Sequence, residues 1–177
     1  MYLKSFKLNN FRKFRTTENV IEFADAESYE LQKKEKIRDI NVASTVTLVV
    51  GKNNAGKTTI IEALKRLINP KYKFGLNDFN YSYLKEIALE YQLGIFKEIP
   101  SLDFEIVIGL DKGKDDYITN IIPFLTIGGV TDTQVTIYAR FELTEQEMFI
   151  DDVVTAFKRE KEDFNPLFEL RNIIQDN

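Results

Sequence analysis

The sequence predicts an α/β fold, a mixed β-sheet with flanking helices, and three observations carry that expectation. Residues 45–50, Thr-Val-Thr-Leu-Val-Val, form a short β-branched apolar run of the kind that becomes a buried strand. Directly after it come Gly51 and Gly56, and then a helical apolar pattern. Alternating segments at residues 103–110 and 133–143 supply further strands.

In chain order, "YLKSFKLNNF" reads as a strand closed by the turn-forming pair Asn9 and Asn10, and "NVIEF" as a second, shorter strand. Residues 24–44 are polar, highly charged and free of glycine and proline, which suits a charged insertion or a solvated surface helix. The run at 45–50 is the third strand. After the glycines, Ile60, Ile61, Leu64, Leu67 and Ile68 fall on one helical face that stops at Pro70. A second helix, "YSYLKEIALEYQLGIF", ends near Gly94 and Pro100. Beyond the strand at 103–110 lies mostly loop, and in the strand at 133–143 Val135, Ile137, Ala139, Phe141 and Leu143 alternate. Thr144 and Glu147 have the spacing of a capping box, so a helix is expected from Thr144, with Phe149, Val153, Val154 and Phe157 on one face.

Composition narrows the chemistry. With 177 residues, 44% hydrophobic, the chain has the makings of one globular domain with its own core. It has no Cys and no His, which removes disulfides, thiolate and imidazole metal ligands, and the commonest general base. The balance of 24 Lys and Arg against 28 Asp and Glu is not that of a polycation, although Lys4, Lys7, Arg12, Lys13 and Arg15 cluster near the start without an acid between them. No run approaches the ~18 apolar residues of a membrane span and the first residues do not resemble a signal peptide, so a soluble, cytoplasmic protein without membrane contact is expected.

"GKNNAGKT" matches G-x-x-x-x-G-K-[ST] at every fixed position, between a strand and a helix. Gly51 and Gly56 let backbone N–H groups turn inward around a phosphate, and the helix adds the positive end of its dipole. Lys57 is the candidate catalytic residue, a point charge for the β and γ phosphates. Thr58 offers its hydroxyl to Mg²⁺ bridging the same phosphates. A GTPase would also need a guanine-reading N-K-x-D, which is absent.

The stretch "MYLKSFKLNNFRKF", then "ENVIEF", then "TLVVGKNNAGKTTIIEAL" resembles the N-terminal lobe of ABC-type ATPase heads of the SMC and RecF group, most closely the overcoming-lysogenization-defect (OLD) ATPase-nucleases. The resemblance covers residues 1–70 and implies a P-loop NTPase fold. It implies that Gly51, Lys52, Asn53, Asn54, Ala55, Gly56, Lys57, Thr58 and Thr59 bind ATP with Mg²⁺, with Arg12 and Lys13 near the nucleotide. It also implies control of DNA processing or of a nuclease, in DNA repair or anti-phage defence, through ATP-dependent dimerisation of heads.

Hydrolysis in that family draws on an acidic pair after a second buried strand and on a signature segment, and neither is present in the sequence. The nearest imitation, "FEIVIGLDKG", ends in Asp111 without a following Glu. The whole chain, residues 1–177, is therefore expected to be an N-terminal lobe whose last part, 144–177, leads into the remainder of the head. Its expected partners are that remainder or a second protomer, with a homodimer, DNA and a nuclease domain or subunit in the full protein. Two other readings stand beside this one. One is a self-contained small P-loop phosphotransferase with Asp78, Asp103 or Asp111 as base, and the other is an ATP-binding regulatory domain without turnover.

Overall fold

A computed structural model describes residues 2–15, 19–23, 47–53, 55–69, 71–109, 134–158 and 164–176. Among these the order is β1 (Tyr2–Asn9), β2 (Val20–Glu22), α1 (Lys57–Ile68), a 3₁₀ turn (Leu76–Asp78), α2 (Tyr81–Gln92), β3 (Ser101–Gly109), β4 (Gln134–Glu142), α3 (Gln146–Phe157) and α4 (Pro166–Asp176). The four strands make one antiparallel sheet in the order β2-β1-β3-β4. The α/β class is borne out.

The chain divides into two compact units, and β1, β3 and β4 each contribute to both. In the first unit, residues 1–7, 20–50 and 105–138, β1 and β2 pair antiparallel with Ser5 opposite Glu22, Phe6 opposite Ile21 and Lys7 opposite Val20. Phe6 is fully buried while Lys7, on the opposite face, pairs with Glu105 on β3 at 3.7 Å. The Tyr2 ring covers Gly109 so closely that a side chain there has no room.

The second unit, residues 8–19, 51–104 and 139–177, holds the helices. α2 and α3 both pack on α4. The seam is aromatic: Tyr91 of α2 meets Phe157 of α3 edge to face at 5.9 Å, and Phe149 of α3 is fully buried. α2 starts where Asn80 accepts from the Tyr83 N–H at 3.1 Å, and it ends before Gly94, whose φ of 77° suits a residue without Cβ. A second aromatic group joins Phe11, Phe74, Phe104 and Phe141, with Phe74 stacked on Phe104 at 5.2 Å.

Tyr83 and Tyr91 of α2 form a polar cluster with Glu98 and Ser101. Tyr83 donates to Glu98 Oε1 at 2.9 Å and accepts from the Ser101 N–H at 3.1 Å, while Tyr91 donates to the Glu98 carbonyl. Burial pushes the Tyr83 hydroxyl up to about 12, and burial likewise raises Tyr91. A raised phenol favours the neutral native state, so its stabilisation is complete below pH 10 and disappears as pH rises toward the folded value. Urea unfolding at pH 8, 10 and 11.5 should show a falling midpoint only above pH 10, with a shallower fall in Tyr83→Phe.

Three expectations are corrected by the structure. Leu48, Val49 and Val50 belong to no described strand and are 80%, 40% and 77% exposed. An apolar run becomes a strand only where a ladder and cover exist for it, and the described sheet supplies neither. On α1 the predicted single face divides. Ile60 is buried with Thr59 and Ala63, whereas Ile61 and Ile68 are exposed and, with Leu64 and Tyr72, line an apolar groove. At α3 the helix begins one residue later than expected, with Glu145 at the N-cap and no side-chain cap, so Thr144 and Glu147 lose capping-box spacing. The insertion at 24–44, the run at 45–46 and Asp111 lie outside the described residues.

Candidate nucleotide-binding site

Residues 51–53 and 55–59 run from an exposed loop into the first turn of α1, and Asn54 lies outside the described residues. Lys52 anchors the turn by accepting from the Ala55 N–H at 3.2 Å. Gly56 then takes φ 97° and ψ 6°, where an L side chain is strained, and serves as N-cap without a side-chain oxygen to satisfy the helix. A Cβ on Gly56 would come within 3.2 Å of Phe14 Cζ, a contact the ring could relieve only by moving a few tenths of an ångström, so the dihedral is the firmer reason for glycine. No acidic residue occupies the first turn of α1. The first N–H groups of α1 therefore have neither a side-chain cap nor an acidic neighbour to offset the positive end of the helix dipole.

Lys57 curls back over the loop: Nζ donates to the Gly51 carbonyl at 2.5 Å and the Lys52 carbonyl at 2.8 Å. Its ammonium is thereby held against the carbonyls that open the loop. Thr58 is exposed at the helix start, the position a metal-ligating hydroxyl needs, while Thr59 is turned into the core beside Ile60. The residues present thus fit a nucleotide triphosphate with Mg²⁺. Gly56→Ala should lose about 1–2 kcal/mol of stability from its left-handed geometry and weaken nucleotide binding as well, read by urea unfolding and equilibrium binding.

The basic corner before the loop is placed differently from a free cationic turn. Asn10 and Arg12 both have positive φ, 59° and 47°. The segment 75–80 holds them there: the Asn80 N–H donates to the Asn10 carbonyl at 2.7 Å, Asn80 Nδ2 to the Arg12 carbonyl at 2.5 Å, and the Arg12 N–H to the Asp78 carbonyl at 2.7 Å. Asp78 is the hub. Its carboxylate, 5% exposed, receives Arg12 Nε and Nη2 at 3.0 Å each on one oxygen, and Arg66 and the Gly75 N–H on the other. Arg66 leaves the last turn of α1 to reach it and also donates to the Lys73 carbonyl at 3.0 Å. Lys13 is exposed. Arg15 pairs with Glu86, donates to Asn10 Oδ1 at 2.9 Å and lies over the Tyr83 ring at 4.8 Å.

This geometry bears on the phosphotransferase alternative. A carboxylate already accepting from two guanidiniums and an amide has no lone pair for a substrate hydroxyl, so Asp78 is structural. Asp103 accepts from Arg140 Nε at 2.6 Å, an ion pair that raises the arginine further above its ordinary value. The sequence had marked Asp78 only as a possible base. Its true partners, Arg12 and Arg66, are 66 and 12 residues away, and only the fold brings them together. Among the described residues no group of three or more Asp or Glu side chains could hold a metal ion. No helix among them is long and apolar enough to cross a membrane.

The model of the AAA ATPase domain family matches residues 1–176. The chain belongs to that family. Among curated proteins, the AAA ATPase chain is 42% identical over 185 residues to endonuclease GajA of Bacillus cereus (strain HuB5-5), covering 97% of this chain. The chain spans about a quarter of that relative's length, 27%. No solved structure matches it. The resemblance to an OLD-like ATPase head, read from the corner and the loop, is borne out by these matches.

Proposed function

We propose that this AAA ATPase domain binds Mg²⁺-ATP on residues 51–59 as one lobe of a larger ATPase head that controls a nuclease acting on DNA. The observation that carries the reading is Lys57 held over a glycine-closed loop at an uncapped helix start. In it, Lys57 meets the β and γ phosphates, Thr58 offers its hydroxyl to Mg²⁺, and backbone N–H groups from Gly51 to Thr58 line the phosphates. Mg²⁺ supplies charge neutralisation between the phosphate oxygens. Arg12 is committed to Asp78, so of the two corner cations exposed Lys13 is the one that would meet the nucleotide.

The nuclease side of the proposal rests on the relative's name, endonuclease, and its biological setting would be anti-phage defence or DNA repair. Turnover calls for groups beyond the described residues: a carboxylate to orient water and a segment to complete the γ-phosphate cage. ATP-dependent pairing of two heads, as a homodimer, would bring such groups together. Exposed Leu48, Val49 and Val50 just before the loop agree with a lobe covered by further protein.

The test compares the chain alone with the longer protein that contains it. The chain alone should bind Mg²⁺-ATP and hydrolyse it at least ~100-fold more slowly than the longer protein, since removing single oxyanion-stabilising donors already costs that much. ATP should shift the longer protein toward a dimer in light scattering. Equal turnover by both would overturn the divided-head reading, and no ATP-induced dimer would overturn the switch.

A further inference from the structure

We infer that Phe14 is a positioning residue for the phosphate-binding loop, setting the placement of Gly56 from the N-terminal corner. The inference rests on the nucleotide-binding reading above and adds a residue that touches no phosphate.

Four observations converge on it. The tip of the Phe14 ring lines the space where a Gly56 side chain would stand: a Cβ there would meet Cζ at 3.2 Å and Cε2 at 3.5 Å. The ring is carried by a corner built at some conformational cost, since Asn10 and Arg12 are both left-handed and the latter ordinarily avoids that region. The corner closes on itself through the Phe14 N–H donating to the Phe11 carbonyl at 2.8 Å, which fixes the backbone that carries the ring. Finally, the same corner reaches the other end of α1, because Arg12 and Arg66 share the Asp78 carboxylate.

α1 is therefore held at both ends by one turn, at Gly56 through Phe14 and at Arg66 through Asp78. The two contacts differ in kind. The Asp78 hub secures the helix, whereas the Phe14 ring bears on the residue whose φ of 97° orients the N–H groups that a phosphate would meet. A shift of a few tenths of an ångström at Gly56 redirects those groups, so ring volume at position 14 converts directly into phosphate affinity.

Phe14→Tyr is the sharp variant. It keeps the aromatic ring and its packing but adds a hydroxyl on the atom already nearest Gly56. Equilibrium binding of Mg²⁺-ATP and of Mg²⁺-tripolyphosphate, which has phosphates and no base, would be measured on the full chain for wild type, Phe14→Tyr, Phe14→Ala and Lys57→Ala, with thermal unfolding alongside. The expected result is a loss of about tenfold for both ligands in Phe14→Tyr and Phe14→Ala, with the unfolding temperature of Phe14→Tyr within a few degrees of wild type.

Wild-type affinity in Phe14→Tyr would overturn the inference, also where Phe14→Ala fails to fold. Loss of ATP binding with tripolyphosphate binding intact would overturn it too, because the ring would then be serving the base. If Lys57→Ala binds both ligands as wild type does, the loop reading itself falls and takes this inference with it. A loss in Lys57→Ala with none in Phe14→Tyr removes only the role of Phe14.

Discussion

Lys57→Ala is expected to lower Mg²⁺-ATP affinity by roughly 10- to 150-fold, the equivalent of about 1.5–3 kcal/mol for a charge-assisted hydrogen bond. The side chain is half-buried and, among the described residues, is held by the Gly51 and Lys52 carbonyls. Water takes over those two acceptors when the ammonium is removed, so unfolding should move by less than ~0.5 kcal/mol. The combination distinguishes a ligand-binding lysine from a structural one. Lys57→Arg should not restore affinity, because the wider planar fork does not fit a loop closed around a point charge. Calorimetric or fluorescence titration with Mg²⁺-ATP reads the affinity, and urea unfolding reads the stability. Unchanged affinity in Lys57→Ala would remove the loop from the mechanism.

The second large effect is on folding. Asp78→Ala should destabilise the chain by about 3–5 kcal/mol, as breaking a buried ion pair from one side does. The carboxylate is 5% exposed and holds Arg12 and Arg66, whose side chains are only 31% and 19% exposed. Both guanidiniums would lose their counter-charge at once, and the Gly75 N–H would lose its acceptor. Asp78→Asn keeps the shape and some of the hydrogen bonds, so its loss should be smaller. Adding Arg66→Met to Asp78→Ala should recover part of the loss by removing one of the stranded charges, which a double-mutant cycle in urea would reveal. A loss below ~1 kcal/mol for Asp78→Ala would mean that the hub contributes little.

Much of the site was legible before any coordinates. The spacing of Gly51, Gly56, Lys57 and Thr58 is local, and so are the dihedrals and donors it dictates; the structure has the glycine at φ 97° and the lysine over the loop. β1, β2, β3 and β4 lie within a few residues of their expected places because period-two alternation and turn residues are also local signals. Residues 48–50 were misjudged as buried for the opposite reason. Their composition matched a covered strand, but cover is supplied by other segments, and the described ones leave Leu48 and Val50 exposed. Likewise, the apolar stripe of α1 could be counted from its spacing, but whether Ile61 faced a neighbour or solvent could not.

By itself the sequence determined the local geometry of residues 51–58 and the helix that follows, since a glycine, a lysine and a helix start act over only a few bonds. The tertiary structure alone decided what Arg12, Asp78 and Phe14 do. Asp78 joins Arg12 and Arg66 across 66 and 12 residues, and the Phe14 ring reaches the space beside Gly56 from a corner that Asn80 and Asp78 hydrogen-bond. Charge pairing and ring contact depend on distances of a few ångströms, and distance between remote residues is a property of the packed chain.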